Sequence, residues 1–332
     1  MKLQLAHVGL GPLGRTIVAD AQRRGVGEIA AAVDCDAELA GKDLGLLVDG
    51  FPPGVTVRTS PMEVPDWSTI RCALVTTSSD LELCMDTFRD LLKRKVAVIS
   101  TCEELSWPWL RHPILTAELH ELCVRNRVSI LGTGVNPGFL MDALPTIVSH
   151  ACHGVRTIRV ERVQDAAQRR LPFQKKVGAG LTMEEFEARK ADGSLRHVGL
   201  GESLHFLAHQ SGFRLDRWEE TLEPVVAESE TASGFGPIAA GRARGVRQVA
   251  RGFQGDEPVV ELVFHAAAGE KESFDRVRLD SDPPLDLTFR GGVHGDVATS
   301  AIVLNSIRPL LAAEPGLHTM ASIPLTGCGL RD

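Results

Sequence analysis

Leu3-Gln4-Leu5-Ala6-His7-Val8-Gly9-Leu10-Gly11-Pro12-Leu13-Gly14 is the stretch that decides the fold. Its first half, Leu3–Val8, is a short apolar run that reads as a strand. Its second half is a GxGxxG pattern, and Pro12–Arg24 reads as a helix that the pattern opens. Strand, glycine turn and helix in that order make a phosphate-binding unit. Gly9 permits the tight turn, Gly11 lets the backbone approach a pyrophosphate, and Gly14 lets helix and strand pack closely. Pro12 and Leu13 start the helix, whose free N–H groups and positive dipole end favour phosphate. The plainer alternative is a glycine-rich turn that holds no ligand.

The pattern continues beyond this unit. Ile29–Val33, Val55–Val57, Cys72–Val75, Val96–Ser100 and Val128–Leu131 read as strands, and Leu81–Lys93 and Leu115–Arg125 as helices. Short apolar runs without polar alternation, separated by helices, indicate a parallel sheet buried on both faces. The fold class is therefore α/β, a Rossmann doubly wound sheet. After about Asn136 the character changes. Leu140–His150, Thr182–Arg189 and Glu202–Gln210 read as helices. Val155–Val163, Arg217–Glu223, Gly245–Arg251, Val259–Ala267, Ser273–Leu279 and Leu285–Phe289 read as strands broken by turn signals, and Asp296–Arg308 as a late helix. This second part is α+β with a mostly antiparallel sheet. The expected domains are a dinucleotide-binding domain over 1–138, a substrate and dimerisation domain over 139–295, and a C-terminal helix and tail over 296–332 that return to the first domain.

Composition narrows the function classes. The 332 residues suffice for about two domains of roughly 100–200 residues each. A net charge of −7 offers no general attraction for nucleic acid or an anionic membrane, so neither is expected as a partner. No apolar run reaches the roughly 18–20 residues that span a bilayer. Met1-Lys2-Leu3 leads straight into a strand without a signal-peptide layout, and a cytoplasmic location is expected. Seven scattered cysteines without a CxxC fit reduced thiols better than disulfides or zinc. His205 and His209 share a helical face but lack the glutamate of HExxH, and His150 and His153 carry no more; no metal is expected. Tyrosine is absent, which excludes a Tyr-Lys catalytic pair.

Candidate site residues follow the strand ends. Asp34 lies 20 residues after Gly14, where a carboxylate holds the adenosine ribose. It favours NAD by repelling a 2′-phosphate, while Arg15 and Lys42 keep NADP open; a turn or capping aspartate is the plainer alternative. Thr76, Thr77 and Ser78 suit a loop over the cofactor, and Ser79 or Asp80 suits capping of the next helix. Thr101-Cys102-Glu103-Glu104 follows the next strand, at the sheet edge where open α/β folds bind ligand. Glu103 and Glu104 are candidates for acid/base work, against the bland reading of a charged helix start. Cys102 as a nucleophile is weaker, because no histidine base is placed for it locally. Asn136, in Gly132-Thr133-Gly134-Val135-Asn136-Pro137-Gly138, can donate and accept near a carboxamide or substrate.

These segments carry a resemblance. VGLGPLG (8–14), VISTCEELSWP (98–108), GTGVNPGFLMD (132–142), VERVQDAAQRRLPFQKKVGAGLT (160–182), HVGLGES (197–203) and GGVHGDVATSAIVLNSI (291–307) cover nearly the whole chain. The chain resembles the 2,4-diaminopentanoate dehydrogenases and the native amine dehydrogenases related to them. Their N-terminal domain is similar to that of dihydrodipicolinate reductase. The resemblance implies reversible oxidative deamination of a primary amine with NAD or NADP, or, in reverse, amination of a ketone or aldehyde with ammonia. It implies a glutamate of the EEL segment as acid/base, with Glu104 preferred over Glu103, and a homodimer. Val259–Phe264 is an apolar strand that would serve subunit pairing. A substrate pocket where domains meet would draw on Phe139, Met141, Leu144, Phe173, Gln174, His197, His294 and Thr299. Arg169, Arg170, Lys175 and Lys176 form a basic cluster that reads equally as a substrate-carboxylate site or a solvated loop. A dihydrodipicolinate reductase-like imine reductase is the enzymatic alternative, weakened by the lack of adjacent histidines. A dinucleotide sensor without turnover is the alternative outside catalysis.

Overall fold

A computed structural model describes residues 2–169 and 171–327. They divide into two compact units, one of residues 2–139 with 294–327 and the other of 140–293. Arg170 of the basic cluster and Cys328 lie outside the described residues.

In the first unit the chain runs β1 (Gln4–Val8), α1 (Pro12–Arg24), β2 (Glu28–Val33), β3 (Val57–Arg58), β4 (Ile70–Val75), α2 (Leu81–Lys93), β5 (Ala97–Ser100), α3 (Pro113–Asn126) and β6 (Ser129–Gly132). Local signals set the helix limits. Pro12 opens α1, and Gly25, in a left-handed conformation at φ 60, closes it. Asp80 caps α2 by accepting the Leu83 N–H at 3.2 Å. The strands are buried runs, and Phe88, Leu91, Leu92 and Val98 fill the layer between helices and sheet.

The second unit holds α4 (Ala143–Ser149), β7 (Gly154–Asp165), α5 (Leu171–Lys176), α6 (Met183–Ala191), α7 (Leu200–Gln210), β8 (Arg217–Val226), β9 (Ala243–Gln254), β10 (Glu257–Ala267), β11 (Phe274–Asp282) and β12 (Leu285–Arg290). α4 starts three residues later than the sequence pattern indicates, because the Asp142 carboxylate takes the Ala143 N–H at 2.6 Å and caps it there. The sheet order is β12-β11-β7-β10-β9-β8, antiparallel throughout except for the parallel pair β7–β10. α7 packs on β9 and β10.

The chain then completes the first unit with α8 (Gly295–Ala312) and β13 (Gly316–His318). β13 pairs with β6 and closes an all-parallel sheet of order β13-β6-β5-β4-β1-β2-β3. α8 lies along α1, where Ser300 Oγ donates to Asp20 Oδ2 at 2.6 Å and Arg24 reaches Asn305 at 2.5 Å. The described residues are thus a Rossmann-like parallel sheet and a second, mixed sheet with helices.

Two sequence expectations change. β13 is a strand the pattern did not show. The apolar side chains of Val259–Phe264 are not an exposed face: Val259, Val260, Leu262, Val263 and Phe264 are all buried in the chain.

The alternation of β7 puts Arg162 on the same inward row as Ile158 and Val160. It is 2% exposed and meets Asp275, itself 4% exposed, at 3.0 Å. Removing one partner of such a pair strands a buried charge, so Asp275→Ala is expected to destabilise the second unit by about 3–5 kcal/mol. Urea unfolding measures it; a loss below about 1 kcal/mol contradicts the buried pair.

Candidate active site

The glycine loop is tight below and open above. A Cβ on Gly14 would stand 2.0 Å from the Gly9 carbonyl oxygen and 2.8 Å from Thr76 Oγ1, so only glycine lets α1 come this close. Gly9 has φ 95, a conformation L side chains avoid. Around Gly11 the space is free, with nothing within 4 Å of a built Cβ. Pro12 is exposed and Leu13 half-buried. No side chain caps the start of α1, and its first turn carries no acid. Those N–H groups are thus placed to meet an anion, which is what a pyrophosphate needs.

The loop is held from beneath. The Thr76 hydroxyl donates to the Gly9 carbonyl at 2.7 Å, and His7 Nε2 donates to the same oxygen at 3.1 Å. His7 is fully buried, and its Nδ1 has no hydrogen-bond partner. Burial pushes its pKa from 6.5 down to about 4, so the ring is neutral. Asp34, at the end of β2, accepts the Leu10 N–H at 2.5 Å and the Asp36 N–H at 2.9 Å. It therefore braces the glycine loop from the position expected for a ribose contact. Arg15 Nε donates to the Leu10 carbonyl at 2.8 Å, and Lys42 is exposed.

Three more loops leave the same sheet edge. After β4, Thr77 Oγ1 lies 3.7 Å from Cys84 Sγ, and Ser78 Oγ accepts the Asp80 N–H at 3.1 Å. After β5, the Thr101 N–H donates to the Val75 carbonyl at 3.0 Å. Cys102 is 1% exposed; its hydrogen bond to Cys84 and its burial push the thiol pKa up, which disfavours a nucleophilic thiolate. Glu103 is half-buried and opens a 3₁₀ turn, Glu103–Ser106, which Ser106 closes by donating to the Glu103 carbonyl at 2.7 Å. Glu104 is buried. Its Oε2 accepts the Leu81 N–H at 2.9 Å and His112 Nε2 at 2.9 Å. Adjacent glutamates thus do different things: Glu104 ties its loop to the start of α2.

After β6, the Val135 N–H donates to Thr299 Oγ1 at 3.1 Å, so α8 holds this loop. Gly138 has φ 119, and a Cβ there would stand 2.5 Å from the Gly134 nitrogen. Asn136 is buried just before a cis Pro137, and Phe139 is half-buried. Thr133, three residues before Asn136, has a buried hydroxyl without a hydrogen-bond partner. His294 caps α8, with Nδ1 3.4 Å from the Val297 nitrogen.

The remaining candidates lie in the second unit. Met141 is fully buried and Leu144 half-buried. Gln174 is a correction: Nε2 donates to the Arg169 carbonyl at 2.7 Å and Oε1 accepts the Gly234 N–H at 3.0 Å, so its amide is spent on the main chain. Phe173 lies under the Arg169 guanidinium at 4.4 Å, and Lys175 and Lys176 are exposed. The His197 ring stacks on Phe264 at 4.4 Å and is kept neutral by burial. Arg162 was also missed; a charged residue on an apolar strand row is the signal that points to it. Among the described residues no group of three or more His, Cys, Asp and Glu is arranged to hold a metal ion, and no helix is long and apolar enough to cross a membrane.

Two outcomes follow from the glycine loop. Gly14→Ala must displace α1 or the loop, and dinucleotide binding is expected to weaken by at least about tenfold in calorimetry, a loss of roughly 1.4 kcal/mol; unchanged affinity contradicts the close approach. For His7, the unfolded chain takes up a proton near pH 6.5 and the folded protein only near 4. Its contribution to stability is therefore complete above pH 6.5 and lost as the pH falls towards 4. A gap of that size corresponds to about 3 kcal/mol, of which about 2 kcal/mol is gone by pH 5. Urea midpoints between pH 7.5 and 5 should fall more steeply in the parent than in His7→Asn; parallel slopes contradict a buried neutral ring.

The comparisons with known proteins fit this geometry. Residues 139–332 match the family model described as the 2,4-diaminopentanoate dehydrogenase C-terminal domain. A 2,4-diaminopentanoate dehydrogenase of Acetoanaerobium sticklandii is 31% identical over 259 residues, 76% of this chain and 73% of the relative. The structure of an amine dehydrogenase from Mycobacterium smegmatis superposes with a TM-score of 0.85 at 22% identity, covering 100% of this chain and 98% of the other. A dihydrodipicolinate reductase from Paenisporosarcina sp. TG-14 shares the fold more loosely, with a TM-score of 0.53 at 13% identity over 96% and 98% of the two chains. With an open glycine cradle and a carboxylate pair on one sheet edge, and a family match over more than half its length, the chain belongs to the 2,4-diaminopentanoate dehydrogenase family, oxidoreductases that act on amines.

Proposed function

We propose that the chain catalyses the reversible, NAD- or NADP-dependent oxidative deamination of a short primary amine of the 2,4-diaminopentanoate type, with Glu103 as the acid/base. The observation that carries this reading is the division of labour between the two glutamates beside the glycine cradle. Glu104 ties its loop to the start of α2 through Leu81 and His112, and Glu103 stands half-buried at the start of the same 3₁₀ turn, where we place the proton transfer. Glu104, slightly preferred in the sequence reading, is the alternative, and the paired substitutions below separate the two.

The dinucleotide fits the chain's own residues. Gly9–Gly14 and the uncapped start of α1 would hold the pyrophosphate, and Asp34 the adenosine ribose. Thr76, Thr77, Ser78, Thr101 and Asn136 would line the nicotinamide end. When bound, the nicotinamide supplies the hydride acceptor or donor. Glu103 takes a proton from the substrate ammonium group, which frees the nitrogen lone pair that C–H cleavage requires. Once that proton has passed to solvent, the carboxylate takes a proton from the water that adds to the iminium carbon and delivers it to the nitrogen, and ammonia leaves as the hydroxyl of the addition product gives its proton back to the carboxylate. Partial burial excludes bulk water from that exchange. In the first unit Phe139, half-buried after the Asn136 loop, is an apolar wall candidate. Homodimerisation belongs to this reading through the family resemblance alone. Light scattering at micromolar concentration tests it, and a monomer removes it.

The test is reductive amination with ammonium, NADH or NADPH, and small ketones and aldehydes with and without a carboxylate. Reduced cofactor should be oxidised only when both ammonia and carbonyl are present. Glu103→Gln should lower kcat by about 100-fold or more, the usual range for losing an acid/base group. Glu104→Gln should chiefly lower the thermal midpoint. Oxidation independent of ammonia sinks the amine reading and favours the imine-reductase one. Tight cofactor binding with silence across the panel favours the sensor.

A further inference from the structure

The opposite edge of the parallel sheet carries a second cavity, of about 480 Å³. It lies at the N-terminal ends of β4, β5 and β6, where α2, α3 and α8 finish. Its volume falls within the roughly 300–1,000 Å³ of small-molecule sites. Arg71, Arg94, Lys95 and Arg127 line it, and no carboxylate does. Arg94 is held by Asp90 at 3.0 Å and lies over the Trp67 ring at 5.6 Å. Arg71, Lys95 and Arg127 make no ion pair or hydrogen bond through their side chains among the described residues.

The backbone adds a second observation. Lys95 (φ 63) and Arg127 (φ 57) are the two non-glycine residues with positive φ among the described residues. Both stand just past a helix end, where glycine is the usual residue because an L side chain is strained there. α1 ends in the same left-handed way and uses Gly25, which does not line the cavity. Strained positions that keep cationic side chains, at the two helix ends facing one cavity, point to a use for those side chains.

A bland account exists. Helix C-termini attract cations, each end carrying about half a negative charge. Three such ends offset about half of the three unpaired cations, so a positive surplus remains. The dipole also gives no reason to prefer a strained lysine or arginine over a basic residue one turn earlier.

We propose that this cavity binds a diphosphate-bearing small molecule of nucleotide size. The guanidinium forks of Arg71 and Arg127 and the ammonium of Lys95 would take the phosphate oxygens. Trp67, Ile70, Val128 and Leu310 would provide the wall for a ring. The site is separate from the glycine loop, and the proposal stands whether or not the amine chemistry does.

The test is calorimetry on the full chain with inorganic pyrophosphate and ADP as separate probes at fixed ionic strength, repeated on Gly14→Ala to separate out binding at the glycine loop. Both should bind saturably at one further site, with ADP the tighter. The Lys95→Gly/Arg127→Gly double variant removes the charges and relieves the backbone, so it should fold at least as stably. It should bind both probes at least tenfold more weakly. Absence of saturable binding that survives Gly14→Ala overturns the proposal, as does equal binding by the double variant. ADP no tighter than pyrophosphate removes the ring wall from it.

Discussion

The methyl group that Gly14 lacks governs more of this protein than any side chain does. With no Cβ, the first turn of α1 sits against the Gly9 carbonyl, which also receives the Thr76 hydroxyl and His7. That contact fixes the axis of α1, and α1 carries Asp20, which accepts from Ser300 on α8. The neighbouring Thr299 accepts the Val135 N–H and so holds the Asn136 loop. One close approach therefore sets both the phosphate end and the loop expected at the reactive end. The two loops are more than a hundred residues apart in the chain, yet a short series of buried hydrogen bonds couples them. Such bonds resist breaking because an unmet buried donor or acceptor costs about 1–3 kcal/mol.

The same logic separates the two glutamates. A buried carboxylate is tolerated where donors meet it, and Glu104 has the N-terminal amide of α2 and an imidazole. Those donors keep the loop between β5 and α3 in one shape. Glu103 stands one residue earlier on that loop, half-buried, at the start of a 3₁₀ turn. In the proposed reaction Glu103 would need a rigid neighbour, and here the neighbour is of the same residue type. Sequence shows a pair of acids and nothing that ranks them.

What the sequence makes legible is whatever local chemistry decides. α1 over Pro12–Arg24 and α2 over Leu81–Lys93 are readable to the residue, because proline, glycine and aspartate mark their ends. The glycine loop is readable because its spacing is a steric necessity. β13 is three residues long and exists only by pairing with β6, so no pattern announces it. Val259–Phe264 looks like a strand with a sticky face, and its apolar side chains are buried in the chain. Gln174 looks like a substrate contact, and its amide serves two main-chain groups. Arg162 shares the alternating row of Ile158 and Val160, a readable signal, but its partner Asp275 lies 113 residues away and is found only through the pairing of β7 with β11.

Parallel topology explains why chemistry collects at both sheet edges rather than one. α1, α2 and α3 follow β1, β4 and β5 and return the chain, so their starts gather at one edge and their ends at the other. The first edge presents unmet N–H groups, and the glycine loop turns them into an anion cradle. The second edge presents carbonyl ends, which call for cations, and lysine or arginine at those ends would satisfy them singly. Lys95 and Arg127 go further than that requirement. They hold left-handed backbone that glycine adopts at no cost, and with Arg71 they leave a cavity with more positive charge than the helix ends neutralise. A surplus that the fold does not use is a surplus available to a ligand, and a basic cavity without acids favours a multiply charged anion, as a diphosphate is.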